Sequence, residues 1–277
     1  MISTSFARIH SHAFGMALRL KGGAPLPEVG DILAVGTCDV SGAGMLALLG
    51  LVPVDGVEPV VHELEIVSLA LPGSDESEAG AVFVPHPVDH DSKPTPSVSL
   101  VQIGSALSLL VVNEQVREAD EAAFAAAVHA MSTGEKTCKR VFIIGALRLD
   151  EKARGAKDPL VFEFGGESIS QKTENDARTI RDGALAALVH VMRSTSTPTT
   201  CMFIPGHKVV GLGNDVESES EREAAEVANM LGAAAAGKLN EKGASVKYDT
   251  SRVSAYRAAR NWRPATGAAE NTDRMYT

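Results

Sequence analysis

Apolar and polar positions along this chain follow two different periods, and each change of period marks an element. Residues 31–38 and 45–54 are short apolar runs separated by the turn signal Ser41-Gly42-Ala43-Gly44, and they predict two strands. Residues 60–71 mix His62, Glu63 and Glu65 with Leu64, Ile66 and Val67, the pattern of a half-buried strand. Residues 72–96 are dense in Pro, Asp, Ser and Gly around the short apolar run 81–84, and predict mostly surface loop. Residues 97–112 then predict one long or two short buried strands.

Residues 118–131 predict the first helix. Phe124, Ala127, Val128 and Met131 share one face, and acidic residues occupy the first turn. The continuous apolar run at 140–147 predicts a strand covered on both sides. Residues 148–175 form a charged, Gly-containing excursion with a candidate strand at 160–164. A helix is expected over 176–192, a buried strand over 200–204, and a helix over 217–236 opened by Glu217, Glu219 and Glu221. This alternation argues for an α/β fold, a layered αβα domain with a central, mostly parallel sheet. The division expected is an N-terminal lead-in at 1–30, one domain at 31–239 and a flexible C-terminal tail at 240–277.

Composition narrows the function classes. Lys and Arg total 26 and Asp and Glu 35, so the net charge is −9, which argues against broad nucleic-acid binding. Apolar runs fall far short of the ~20 residues that span a bilayer. Cys38, Cys138 and Cys201 are widely spaced and odd in number, which fits a reducing compartment better than a disulfide framework. Residues 1–27 carry no acid but include Arg8, Arg19 and Lys21, the composition of a transit peptide or of a basic lead-in to the first strand.

The candidate chemistry is sparse. The run from Gly232 to Gly237-Lys238-Leu239 matches most of a phosphate-binding loop, but Leu239 replaces the metal-binding hydroxyl and the run ends a helix. Gly237 reads better as a helix C-cap. Gly211 and Gly213 make half a dinucleotide fingerprint, better read as a turn. His86, Asp89, His90 and Asp91 cluster among prolines that forbid a helix, so no metal site is expected. Cys201 and His207 are near in sequence, yet a Cys in an apolar run is usually core. Asp176 and Asp182 fall where a helix favours acids. No enzyme activity and no cofactor are expected.

The last segment departs from the rest. Arg252, Arg257, Arg260 and Arg263 lie in an acid-free stretch with Val253, Tyr256 and Trp262. Arg and aromatic side chains are frequent interface anchors, which makes Tyr256, Arg257, Arg260 and Trp262 a candidate interface. The chain closes on Met275-Tyr276-Thr277. A carboxylate, a ring and a hydrophobe in that order can enter a pocket through three contacts.

That ending resembles the hydrophobic–Tyr–any tail of proteasome activators and assembly factors. The strand–helix–strand at 97–147, the run Ile180-Arg181-Asp182-Gly183-Ala184-Leu185 and the strand at 201–204 resemble the proteasome assembly chaperone 1 family. The resemblance implies a non-enzymatic chaperone that pairs with the companion chaperone 2 and sits on the outer face of the 20S proteasome α ring. Met275, Tyr276 and Thr277 would then enter a pocket between neighbouring α subunits, promoting ring assembly and blocking premature regulator binding. It also implies a cytoplasmic and nuclear location, with no nucleic acid or membrane as partner. The alternatives are an α/β enzyme of phosphorylase or hydrolase type, whose terminal Tyr is incidental, and the companion subunit itself.

Overall fold

The computed structural model describes residues 18–20, 25–39, 42–66, 98–114, 116–134, 136–148, 158–165, 180, 182–206 and 219–259. Their strands are β1 (Leu18–Leu20), β2 (Ile32–Gly36), β3 (Leu51–Pro53), β4 (Val60–Ile66) and β5 (Val98–Ile103), then β6 (Leu107–Val112), β7 (Arg140–Arg148), β8 (Leu160–Phe164), β9 (Thr199–Gly206) and β10 (Val246–Tyr248). The helices are α1 (Ala43–Leu49), α2 (Glu121–Ser132), α3 (Gly183–Ser194), α4 (Glu219–Glu241) and α5 (Thr250–Ala259).

Eight strands form one sheet in the order β1-β4-β5-β6-β2-β7-β9-β8. The four central strands β6, β2, β7 and β9 pair in parallel. The flanking pairs β1–β4, β4–β5, β5–β6 and β8–β9 are antiparallel. The central strands are buried nearly end to end, because helices cover both of their faces. At the edge, β8 alternates between exposed and half-buried positions.

Each face has its own core. Phe124, Val128, Leu185 and Leu188, from α2 and α3, pack on Leu33, Val35, Leu110 and Ile143. Leu46 and Leu48 of α1, with Leu231 and Leu239 of α4, pack on Ile32, Ala34, Leu109 and Phe142. The chain is therefore an αβα sandwich, as its alternation predicts.

Several elements differ from expectation. Residues 45–54, read as a strand, divide into α1 and the short β3. An apolar run of that length suits either element, and the turn signal at Gly42-Ala43-Gly44 is here the first turn of a helix. Residues 97–112 form the hairpin β5–β6. Helix α3 starts at Gly183, later than expected, with Asp182 as its N-cap accepting the Leu185 N–H at 2.8 Å.

The C-terminal segment is also more ordered than its composition suggests. Helix α4 runs past Gly237, the expected cap, and its chain turns off at Gly243, whose φ of 95° suits glycine. Strand β10 then pairs antiparallel with β3. In α5, Val253 is buried, so residues up to 259 belong to the folded body. The expected loop at 72–96 lies outside the described residues.

Tyr248 holds this addition in place. Its hydroxyl donates to Asn229 Oδ1 at 3.0 Å, and its ring lies where a Cβ on either Gly50 or Gly232 would overlap it. The two glycines are thus the walls of a slot for the ring. In an exposed helix, Gly→Ala gains about 1 kcal/mol. At residue 232 we expect the opposite, a loss of about 1–3 kcal/mol from overpacking, read by denaturant unfolding. In a Tyr248→Ala background the same Gly232→Ala change should become stabilising; stabilisation in both backgrounds would rule the slot out.

Candidate functional site

Three helices begin at one place, beyond the carboxyl ends of the parallel strands, and a carboxylate meets each of them. Open α/β sheets commonly place ligands beyond the carboxyl ends of their strands. The chain leaves β2, passes Cys38 and turns at Asp39. One oxygen of Asp39, Oδ1, accepts the N–H of Ala43 at 2.9 Å. The other, Oδ2, accepts Gly44 N–H at 3.0 Å and Ala146 N–H at 2.6 Å. One side chain therefore caps α1 and ties it to β7. The approach is close because Gly36, Gly44 and Gly145 carry no side chain: a Cβ on Gly36 would meet the Gly44 carbonyl, and one on Gly44 the Ile144 carbonyl.

Asp182 caps α3 beside this, and the Glu121 carboxylate at the start of α2 packs directly on Gly183. Burial pushes the Asp39 carboxyl up to about 7, with Asp182 adding to the rise and the three N–H groups opposing it. Glu121 is likewise pushed up to about 7 by burial, then by Asp182 and Glu118. Asp182 is raised by its own burial. The Cys38 thiol is raised by burial and by the neighbouring Asp39 and Asp182, the reverse of what an activated nucleophile needs.

Chemically, Asp39 is committed to architecture. Both oxygens of Asp39 are engaged by backbone N–H groups, and a carboxylate so held is an anchor rather than a free base. Among the described residues, no group of three or more His, Cys, Asp or Glu side chains is arranged to hold a metal ion. Cys138 and Cys201 are buried core thiols raised by burial. Among the described residues, two shallow surface depressions lie at the opposite, amino ends of the strands. There Lys139 and Lys136 flank Asp31 at 2.9 and 3.2 Å, and Arg140 and Lys242 flank Glu163 at 3.5 and 3.6 Å.

The residues singled out from sequence are distributed differently. Tyr256 packs against the second core and Arg257 is half-buried, both on α5. Arg260, Trp262, Met275, Tyr276 and Thr277 lie outside the described residues, as do His86, Asp89, His90, Asp91, Asp176, His207, Gly211 and Gly213. Gly232 lies within α4, and Gly237 and Lys238 lie at its last turn, not in a phosphate loop. Asp39 and Glu121 were not singled out at all. The available signal was an acid just after a buried strand and just before Gly42-Ala43-Gly44, which is where a cap belongs. None of the described helices is long and apolar enough to cross a membrane.

No protein-family description matches the chain, and no curated protein matches it either. Its fold is shared with solved structures at low identity. A protein of unknown function from Thermoplasma acidophilum superposes with a TM-score of 0.53 at 10% identity, over 100% of this chain and 97% of that one. Pyrococcus furiosus PbaB, an archaeal proteasome activator, gives 0.49 at 11% identity, over 94% and 97%. A protein of unknown function from Corynebacterium glutamicum gives 0.43 at 13% identity, over 94% and 88%.

A carboxyl whose folded pKa exceeds its ordinary value binds its proton more tightly in the folded chain. Its contribution to stability is complete below about pH 4, and is lost as the pH rises to about 7. We expect the thermal midpoint to fall between pH 5 and pH 8. Glu121→Gln, which removes a carboxyl whose charged form is opposed by burial and then by Asp182 and Glu118, should raise the midpoint at pH 8 and leave it nearly unchanged at pH 5. A midpoint raised equally at both values would show that ionisation of Glu121 is not the cause.

Proposed function

We propose that this chain is a non-enzymatic proteasome assembly chaperone. It pairs with a companion chaperone of similar fold and docks on the outer face of the 20S α ring. The observation that carries the reading is the Met275-Tyr276-Thr277 ending attached to an αβα body. In this reading the Thr277 carboxylate pairs with a lysine in the pocket between neighbouring α subunits. Tyr276 sits at the pocket mouth and Met275 fills the apolar recess. The body, held above the ring, blocks regulators from the same pockets.

The described body extends to Ala259, and this sets the length of chain beyond it. From Ala259 to Thr277 is 277 − 259 = 18 residues. A flexible linker of that length averages about 21–25 Å end to end, a reach that suits a body seated close to the pocket. Tethering at that distance raises the effective concentration of a weak three-residue contact.

The enzyme alternative is favoured by one observation, the raised carboxyls of Asp39, Glu121 and Asp182 beyond the carboxyl ends of the strands. Against it, the Asp39 oxygens are committed to backbone donors and the thiol beside them is raised.

The test compares binding of the full chain, with its companion, to isolated α rings against a version lacking only Met275-Tyr276-Thr277. A loss of at least tenfold, about 1.4 kcal/mol, is the expected result. Equal binding would move docking to the body, and no binding by either would refute the proteasome assignment.

A further inference from the structure

The amino end of the sheet gathers cations that the carboxylates touching them do not balance. One depression there has a volume of about 370 Å³, in the lower part of the range of sites that take small ligands. Its charged lining is Asp31, Lys139, Arg140 and Lys242. Lys139 joins Lys136 on Asp31, whereas Arg140, the next residue in the chain, joins Lys242 on Glu163. Each carboxylate is therefore shared by two cations. Lys139 and Lys136 hold the Asp31 carboxyl below its ordinary range, a mark of the field they set up.

The second cluster is the looser one. Arg140 and Lys242 stand 3.5 and 3.6 Å from Glu163, against about 2.8 Å for a tight charge-assisted pair. Both side-chain contacts of Arg140, to Glu163 and to Thr200 Oγ1 at 3.1 Å, use Nη1. Among the described residues nothing accepts from its Nη2, so half of the guanidinium fork is left for another acceptor.

The two clusters together hold four cations and two carboxylates, an excess of 4 − 2 = 2 in a chain whose net charge is −9. The carboxyl end of α4, which stops beside Lys242, offsets about half of one charge. Two added carboxylates side by side in so small a volume would repel each other. One compact group carrying both charges avoids that. A phosphoryl group is such a group, with about −1.5 to −2 at neutral pH and oxygens that accept from an Arg fork and from Lys together.

We infer that this depression binds a phosphoryl group, as free phosphate or as a phosphate monoester, through Lys139, Arg140 and Lys242. None of the residues behind the chaperone reading takes part, so the two can fail separately.

The test is calorimetric titration of the full chain with inorganic phosphate, and separately with phenyl phosphate, at pH 8 and constant ionic strength. Wild type should bind with a Kd of about 1 mM or tighter, and chloride should give no binding heat. Tighter binding of phenyl phosphate would assign the site to monoesters, and tighter binding of inorganic phosphate to the free ion. Lys139→Gln with Lys242→Gln should weaken binding at least tenfold. Asp31→Asn, which removes the internal competitor for Lys139, should tighten it about threefold, and it decides the matter if the double variant fails to fold. Thermal midpoints monitor folding. Affinity unchanged in both folded variants would mean an adventitious ion only and would overturn the site. Failure of wild type to bind either phosphate would overturn it too, and an oligoglutamate peptide that then bound would give the surface to an acidic partner.

Discussion

One buried carboxylate gripping three backbone N–H groups sets the geometry of the carboxyl end of this sheet. Asp39 joins the turn after β2 to the start of α1 and to Ala146 in β7, elements more than a hundred residues apart in sequence. The grip requires backbone to approach backbone at van der Waals distance, which is why glycines stand at 36, 44 and 145. A buried charge is expensive, and the raised pKa records the cost; the hydrogen bonds offset it and make this arrangement unique. Alternative seatings of α1 would leave that carboxylate without its donors.

From this anchor the two layers grow differently. The α2–α3 layer comes from the middle of the chain, with α2 between β6 and β7 and α3 between β8 and β9. The α1–α4 layer is a composite, completed only when β10 returns to β3 and Tyr248 enters its slot. Among the described residues neither layer packs a helix substantially on β4 or β5, and Val60 and Val61 at the start of β4 stay exposed.

Much of this was readable from residue order alone. Long buried strands such as β7 and β9, and helices with regular apolar spacing such as α2, carry their own signal in the sequence. The run at 45–54 does not, because an element buried on all sides has no polar face to give its period away. Nor could composition distinguish the small, polar residues of β10 and α5 from a tail, since their order comes from Val246, Tyr248 and Val253 meeting a distant core. The carboxyl cluster was hidden for a related reason: Asp39, Glu121 and Asp182 converge only through tertiary packing. The Met-Tyr-Thr ending is legible as a motif because three adjacent residues suffice to state it.

The pairing of β3 with β10 has a consequence for how the chain is made. Strand β3 is complete at Pro53, but its partner is Val246–Tyr248, nearly two hundred residues later. During synthesis from the N-terminus, the α2–α3 layer can close while the opposite layer lacks its final ribbon and the Tyr248 ring. Until that ring emerges from the ribosome, Gly50 and Gly232 face an empty slot, and the apolar face of α1 has one partner fewer. A nascent chain of this design would pass through a half-clad stage, with Tyr248 arriving only after every strand of the main sheet has been made.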